Sequence, residues 1–317
     1  MDLPAYDDVR RAHARIAGHI HRTPILTSSF FDGLAGASLF FKCENFQKAG
    51  AFKARGAANA VFGLNEAQAR AGVATHSSGN HAQALCYAAA KRGIAVTVVM
   101  PETALEAKKA AVRGYGGTVV ECAPGMAARE AALARVVAET GAEVVHPYND
   151  ARVIAGQGTC AKEIIEDLGA LDAIVAPIGG GGLISGCCLA ASGLAPDIKV
   201  YAAEPSNADD ACRSRKAGRL IVEDAPQTVA DGLRASLKAL TWHFVSTGVE
   251  DVLLAEEDEI VAAMRLIWER MKIVVEPSSA VALAAILANR PLFSGRRVGV
   301  ILTGGNVDLH SLPWMAG

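Results

Sequence analysis

The chain has 317 residues, 51% hydrophobic and 5% aromatic, with 31 Lys and Arg against 33 Asp and Glu for a net charge of -2. This length supports about two domains with buried cores. The absence of any basic or acidic block excludes nucleic acid and charged membrane surfaces as expected partners. Apolar runs such as Ile94 to Met100 are strand-length, too short to span a bilayer. The start, Met1 to Asp8, lacks a cationic stretch followed by an apolar one. The seven cysteines at 43, 86, 122, 160, 187, 188 and 212 have no metal-type spacing. A cytoplasmic protein with reduced thiols is expected.

The first 71 residues contain no obvious sheet partner within their own stretch, but they carry the most informative residue of the chain. Lys53 follows an aromatic ring, Phe52, and precedes a predicted helix, in the run Lys42 to Ala57. A lysine so placed suits Schiff-base chemistry with pyridoxal phosphate, although on spacing alone most lysines are solvated surface charges. From Val73 the chain alternates short β-rich runs with Ala-rich helical ones. The strands are predicted at 73–76, 95–100, 117–121 and 143–146, and the helices at 80–91, 104–113 and 126–140. A second series has strands at 173–177, 200–203, 252–254 and 298–302, with a helix over 256–272. Such alternation implies an α/β protein with parallel sheets and right-handed crossovers. Residues 72–148 are read as a small, mobile domain inserted into a large one made of 1–71 and 149–317. A ligand cleft is expected between them, at the carboxyl ends of the strands.

Four further segments carry chemistry. Gly179-Gly180-Gly181-Gly182, between a strand and a helix, offers a close backbone approach and free N–H groups, a phosphate site rather than a mere turn. Strand, glycine turn, helix and then Glu204 also imitate a dinucleotide-binding unit. The glycine spacing departs from that pattern, however, and would leave Lys53 without a role. His76-Ser77-Ser78-Gly79-Asn80-His81 places hydroxyls, amides and N–H groups at a strand-to-helix junction, suited to a substrate carboxylate and equally to helix capping. Thr303, directly after a strand, offers a neutral hydroxyl where a cofactor ring nitrogen would sit, unless its Gly-rich segment is only a turn. Glu204, Ala208 and Asp210 combine carboxylates with a backbone carbonyl, a hard-cation set, with capping by Asn207 or Asp209 as the alternative.

With these residues the chain resembles the fold-type II pyridoxal-phosphate enzymes, the serine/threonine dehydratase and serine racemase group, over essentially its full length. The matching runs are FKCENFQKAGAFKARGA, THSSGNHAQAL, HPYNDARVIAGQGT, VAPIGGGGLISG, VYAAEPSNADDA, TVADGLR, WERMKIVVEPSSA and LTGGNVDL. The resemblance implies that Lys53 binds the cofactor and then acts as base at the substrate α-carbon, while Ser78 serves the opposite face. It implies that Phe52 and Gly232 sandwich the ring and that Asn80 bonds its 3-hydroxyl. Gly179, Gly180, Gly181, Gly182 and the Leu183 N–H would cradle the phosphate, and Thr303 would meet the ring nitrogen. Ser77, Ser78, Asn80 and His81 would hold the substrate carboxylate. Glu204, Ala208 and Asp210 would hold Mg²⁺, Mn²⁺ or Ca²⁺.

The implied activity is dehydration of a small L-3-hydroxy amino acid (serine, threonine or L-threo-3-hydroxyaspartate) to a 2-keto acid and ammonia, in a homodimer. Serine racemase, with dehydration as a side activity, is the first alternative. β-Replacement and a non-catalytic ligand-binding module are more remote. Three departures from the racemase pattern matter. Tyr148 stands in place of Asn and adds bulk near the cofactor. Ala49 replaces a Thr associated with nucleotide binding, despite Lys48 and Gln83. Thr303 replaces Ser or Cys and keeps the hydroxyl.

Overall fold

A computed structural model describes residues 3–223 and 226–315. The chain opens on α1 (Tyr6–Ile16), with Asp7 and Asp8 in its first turn and His13 and Arg15 in its last, the arrangement the helix dipole favours. β1 (Ile25–Leu26), α2 (Ser29–Ala35) and β2 (Ser38–Cys43) follow, then α3 (Lys53–Phe62) and α4 (Glu66–Ala71). The next stretch runs β3 (Val73–His76), α5 (Asn80–Arg92), β4 (Val96–Pro101), α6 (Glu106–Gly114), β5 (Thr118–Cys122), α7 (Met126–Thr140) and β6 (Glu143–Val144). After it come α8 (Ala151–Leu168), β7 (Ala173–Pro177), α9 (Gly182–Leu194), β8 (Lys199–Pro205) and α10 (Asp210–Ala217). The last elements are α11 (Ala239–Gly248), β9 (Asp251–Ala255), α12 (Glu257–Met271), α13 (Pro277–Ala288), α14 (Arg290–Phe293) and β10 (Arg297–Leu302).

These strands form two sheets. Six lie in the order β1-β2-β10-β7-β8-β9, parallel except for the short β1, and four in the order β5-β4-β3-β6, all parallel. β2 pairs with β10 from Ser38 opposite Arg297 to Cys43 opposite Leu302. β3 and β7 are buried along their whole length, as expected of parallel strands covered on both faces. The sequence predicts a strand through His146, but β6 ends at Val144. His146 precedes Pro147, and its Nδ1 accepts from the N–H groups of Tyr148 and Asn149 at 3.3 and 3.0 Å, which turns the chain out of the sheet.

Three helices pack backbone to backbone. A Cβ on Gly156 of α8 would stand 2.7 Å from the Arg55 carbonyl oxygen and from the Gly56 Cα of α3. One on Gly186 of α9 would meet the Gly158 nitrogen of α8 at 2.4 Å. Neither contact can give way by a rotamer change, so α3, α8 and α9 sit at fixed separations. α3 begins at Lys53 and α9 begins inside the four-glycine run. The packing therefore fixes the two signature segments relative to one another.

Candidate active site

Lys53 is the first residue of α3. The loop before it is held to the chain beyond β10: Gly305 N–H donates to Gly50 O at 3.0 Å, Ala51 bridges Gly304, and Phe52 N–H donates to Thr303 O at 2.9 Å. Lys53 Nζ donates to the Pro147 carbonyl at 2.8 Å and stands 5.0 Å from the centroid of the Phe52 ring. Burial lowers its pKa to about 8, against a smaller opposing pull from Glu276.

The next residue after Pro147 reaches the glycine run. A Cβ on Gly180 would fall 2.4 Å from the Tyr148 ring, one on Gly182 3.0 Å from Tyr148 Cα and Cβ, and one on Gly179 2.9 Å from Leu233 Cα. Gly181 has φ +85, a backbone conformation that favours glycine. The run is thus a cradle that only glycine fits, opening directly into the first turn of α9, where Leu183 is buried. Helix N-termini leave N–H groups free to bind anions.

Thr303 is buried, its Oγ1 3.2 Å from Ser279 Oγ. Ser279 Oγ also bonds Gly304, lying 2.8 Å from the carbonyl and accepting from the N–H at 2.8 Å. The Ser279 hydroxyl thus has two partners on Gly304, and either hydroxyl can be the donor in its contact with Thr303. Gly232 N–H donates to Ser278 Oγ at 3.0 Å, and a Cβ there would meet that oxygen at 2.9 Å.

On the other sheet, Ser77 and Ser78 lie between β3 and α5 and Asn80 opens α5, all three half-buried. Ser77 Oγ accepts from Gly79 N–H at 3.4 Å, whereas the Ser78 hydroxyl has no partner among the described residues. Asn80 is clamped: its amide donates to both oxygens of Glu276 at 2.9 and 3.1 Å, and its carbonyl accepts from Asn306 at 2.9 Å. The His81 ring is buried with Nε2 3.1 Å from the Val145 carbonyl and Nδ1 without a partner among the described residues, and its main-chain N–H lies in the first turn of α5. Burial holds this ring well below the usual histidine pKa, and it holds His146 at about 3, so both are neutral.

Elsewhere, Glu204 is the penultimate residue of β8 and Asp210 begins α10, with Ala208 buried between them. The two oxygens of Glu204 accept from the Ala211 and Cys212 N–H groups at 3.0 Å each, and Asp210 Oδ2 is buried without a partner. Neither carboxylate is in an ion pair among the described residues. Burial pushes the Glu204 pKa up to about 8, helped by Asp210, and that of Asp210 to about 6. Among the described residues no group of three or more His, Cys, Asp or Glu side chains could hold a metal ion. The expected set would rely on two carboxylates and a carbonyl.

Sequence reasoning missed Glu276, Asn306, Ser279 and the Pro147 carbonyl. Glu276 is buried, and burial raises its pKa to about 7. Its only sequence signal is the Glu-Pro pair that opens α13. Asn306 lies in the Gly-Gly-Asn turn after β10, and its amide bonds to the Asn80 and Ala49 oxygens disclose its importance.

The chain matches the family model described as pyridoxal-phosphate dependent enzyme over residues 16–304. It is 63% identical to the beta-hydroxyaspartate dehydratase of Paracoccus denitrificans, covering 99% of this chain and all of that one. It is 50% identical to the serine racemase of Arabidopsis thaliana, over 96% and 93% of the two chains. The structure of maize serine racemase superposes with a TM-score of 0.96 at 45% identity, over 99% and 97%. The expected α/β fold of type II is borne out, as is the resemblance to the dehydratase and racemase group. No helix among the described residues is long and apolar enough to cross a membrane.

Proposed function

Since the chain belongs to the pyridoxal-phosphate-dependent enzymes, we propose that it dehydrates a small L-3-hydroxy amino acid to a 2-keto acid and ammonia, with β-hydroxyaspartate first among its substrates. The observation that carries this reading is a juxtaposition. Lys53 Nζ rests on the carbonyl of Pro147, and the adjacent Tyr148 packs on the glycine cradle. A reactive amine and an anion site thus meet across two residues of one loop. The 63% identity to a beta-hydroxyaspartate dehydratase supports the substrate preference.

The residues present fit the cofactor. Gly179 to Gly182 and the Leu183 N–H would hold its phosphate, Lys53 its aldehyde carbon, Phe52 and Gly232 the two ring faces, and Asn80 its 3-hydroxyl. Once bound, pyridoxal phosphate supplies an electron sink for the bond broken at the substrate α-carbon. Thr303 would meet the ring nitrogen with a hydroxyl instead of a carboxylate, which keeps that sink weak and favours loss of the β-hydroxyl over deeper carbanion chemistry. The N-terminus of α5, with Ser77, Ser78, Asn80 and the His81 N–H, would hold the substrate carboxylate. Lys53, with its pKa near 8, takes the α-proton at neutral pH. The β-hydroxyl would leave as water, taking the proton that Lys53 accepted, and the enamine, once free, would hydrolyse to the keto acid and ammonia. Residues 72–148, read as an inserted mobile domain, would close the cleft and exclude water.

The orphaned Asp210 Oδ2 beside Glu204 supports a divalent cation held by Glu204, Asp210 and the Ala208 carbonyl. The same reading carries a cytoplasmic homodimer, supported by resemblance to a usually dimeric group. Racemisation is the second reading. It is favoured by the unpartnered Ser78 hydroxyl and by the 50% identical serine racemase.

Proton NMR in D₂O, with L-serine, L-threonine and L-threo-3-hydroxyaspartate supplied separately, tests the proposal. Keto acid and ammonia should appear fastest from hydroxyaspartate, with little D-enantiomer, and Lys53→Ala should abolish both turnover and borohydride-sensitive colour. Deuterated D-product outpacing keto acid would make the enzyme a racemase. Turnover of none of the three would return it to a binding module.

A further inference from the structure

On the far side of the helical turn that presents Lys53 lies a cluster the chemistry above does not use. Lys42, Glu44, Arg55 and Glu163 are all buried, none more than 1% exposed. Arg55 commits all five of its N–H donors there. Nε and Nη2 donate to the two oxygens of Glu44 at 2.8 Å, and Nη1 and Nη2 to the two oxygens of Glu163 at 2.8 Å. The remaining Nη1 hydrogen reaches Thr159 Oγ1 at 3.1 Å. Lys42 Nζ donates to Glu163 Oε2 at 2.6 Å and to the Thr23 carbonyl at 2.8 Å, and Thr23 Oγ1 donates to Glu44 Oε1. The net charge is zero, and every carboxylate oxygen has a donor.

Such a cluster is a weak source of stability, because apolar residues of the same volume often hold a core as well or better. What it supplies is geometry. Glu44 follows β2, Arg55 sits in the first turn of α3, and Glu163 lies on α8. Residues two apart on a helix leave it about 200° around from one another. Lys53 therefore faces the Pro147 carbonyl while Arg55 faces the cluster. A planar guanidinium forked onto two carboxylates at once fixes both the slide and the rotation of that turn.

We propose that Arg55 is a positioning residue: without touching substrate or cofactor, it sets where the Lys53 amine stands on the Pro147 carbonyl, and thereby the rate of turnover. The proposal rests on the reading of Lys53 as the residue that carries the cofactor. It is specific to α3, whose first turn carries both Lys53 and Arg55.

Two variants test it. Arg55→Lys keeps the charge but offers three donors in place of five. The double variant Arg55→Met with Glu44→Met removes one cation and one anion together and leaves the Lys42–Glu163 pair in an apolar setting, so it should fold. Both should lose about 10–100-fold in kcat with KM within about threefold. A second readout needs no cofactor. The cofactor-free protein is treated with an amine-selective reagent across a range of pH, and modification of Lys53 is followed by peptide mass spectrometry. In the parent Lys53 should titrate near 8, set by burial with Glu276 and the neutral His81 and His146 around it. In both variants the midpoint should move toward that of an ordinary lysine.

Parental kcat and parental Lys53 titration in a folded double variant would overturn the proposal. So would a fall in kcat that only tracks loss of folded protein, with Lys53 in the folded fraction titrating as in the parent. Turnover and colour surviving in Lys53→Ala would instead remove the premise, so the two failures are distinguishable.

Discussion

The chain buries two carboxylate clusters, built in opposite ways. Around Arg55, two cations face two carboxylates and every oxygen is bonded. Burial alone would raise the Glu163 pKa, but Arg55 and Lys42 more than offset it and hold the carboxyl below its ordinary value. Near the end of β8, Glu204 and Asp210 share a buried site with no ion pair to either among the described residues, and Arg213 pulls only weakly on Asp210. Burial dominates there, and both pKa values rise, to about 8 and about 6. A buried charge that the protein completes by itself is architecture. One that it leaves incomplete invites a ligand, and the same residue type at the same depth serves both ends.

The largest expected effect comes from breaking the complete cluster. Glu163→Ala would leave Lys42 and Arg55 buried with only Glu44 between them. Stability should fall by about 3–5 kcal/mol, the usual consequence of removing one partner from a buried pair. Urea denaturation measures it, and a loss below about 1 kcal/mol would show that the cluster is hydrated in solution.

A smaller effect of opposite sign should come from completing the incomplete cluster. At a hundredfold excess over its dissociation constant, Mg²⁺, Mn²⁺ or Ca²⁺ should stabilise the protein by about 2.7 kcal/mol relative to a chelator. The urea midpoint with and without chelator reads this directly. Indifference to all three ions would remove the cation site and leave the Glu204 bonds to the Ala211 and Cys212 N–H groups as a cap for α10.

The contrast also explains what the sequence could disclose. The parallel strands, Lys53 and the glycine run were legible because each is a local pattern: short β-rich runs set between Ala-rich helical ones, an amine beside an aromatic ring, a turn that only glycine makes. β2 was not legible, since its partner β10 lies more than 250 residues away and nothing in the Ser38–Cys43 run specifies it. Arg55 sits in plain view two residues after Lys53, yet its significance depends on Glu163 arriving from α8. Gly156, Gly158 and Gly186 look like ordinary interruptions of helices, and only the close approach of three backbones gives them a purpose. Glu276 and Asn306 clamp Asn80 from elements that a linear reading has no reason to bring together. Topology, rather than propensity, chooses such partners.

The smallest expected effect discriminates most sharply. Asp210→Asn, measured in chelator, replaces one of the two carboxyl groups by a neutral amide and keeps the shape of the side chain. Glu204, with a pKa near 8, is already mostly protonated at pH 7, so little repulsion remains to be relieved. The oxygen without a partner, Oδ2, makes no hydrogen bond that the substitution would remove. The variant should therefore equal or exceed the parent in stability by at most about 1 kcal/mol, where Glu163→Ala loses several. Added cation should then leave its urea midpoint unmoved. A variant clearly less stable than the parent in chelator would mean that Asp210 is held ionised by the fold itself, and the two clusters would no longer be opposites.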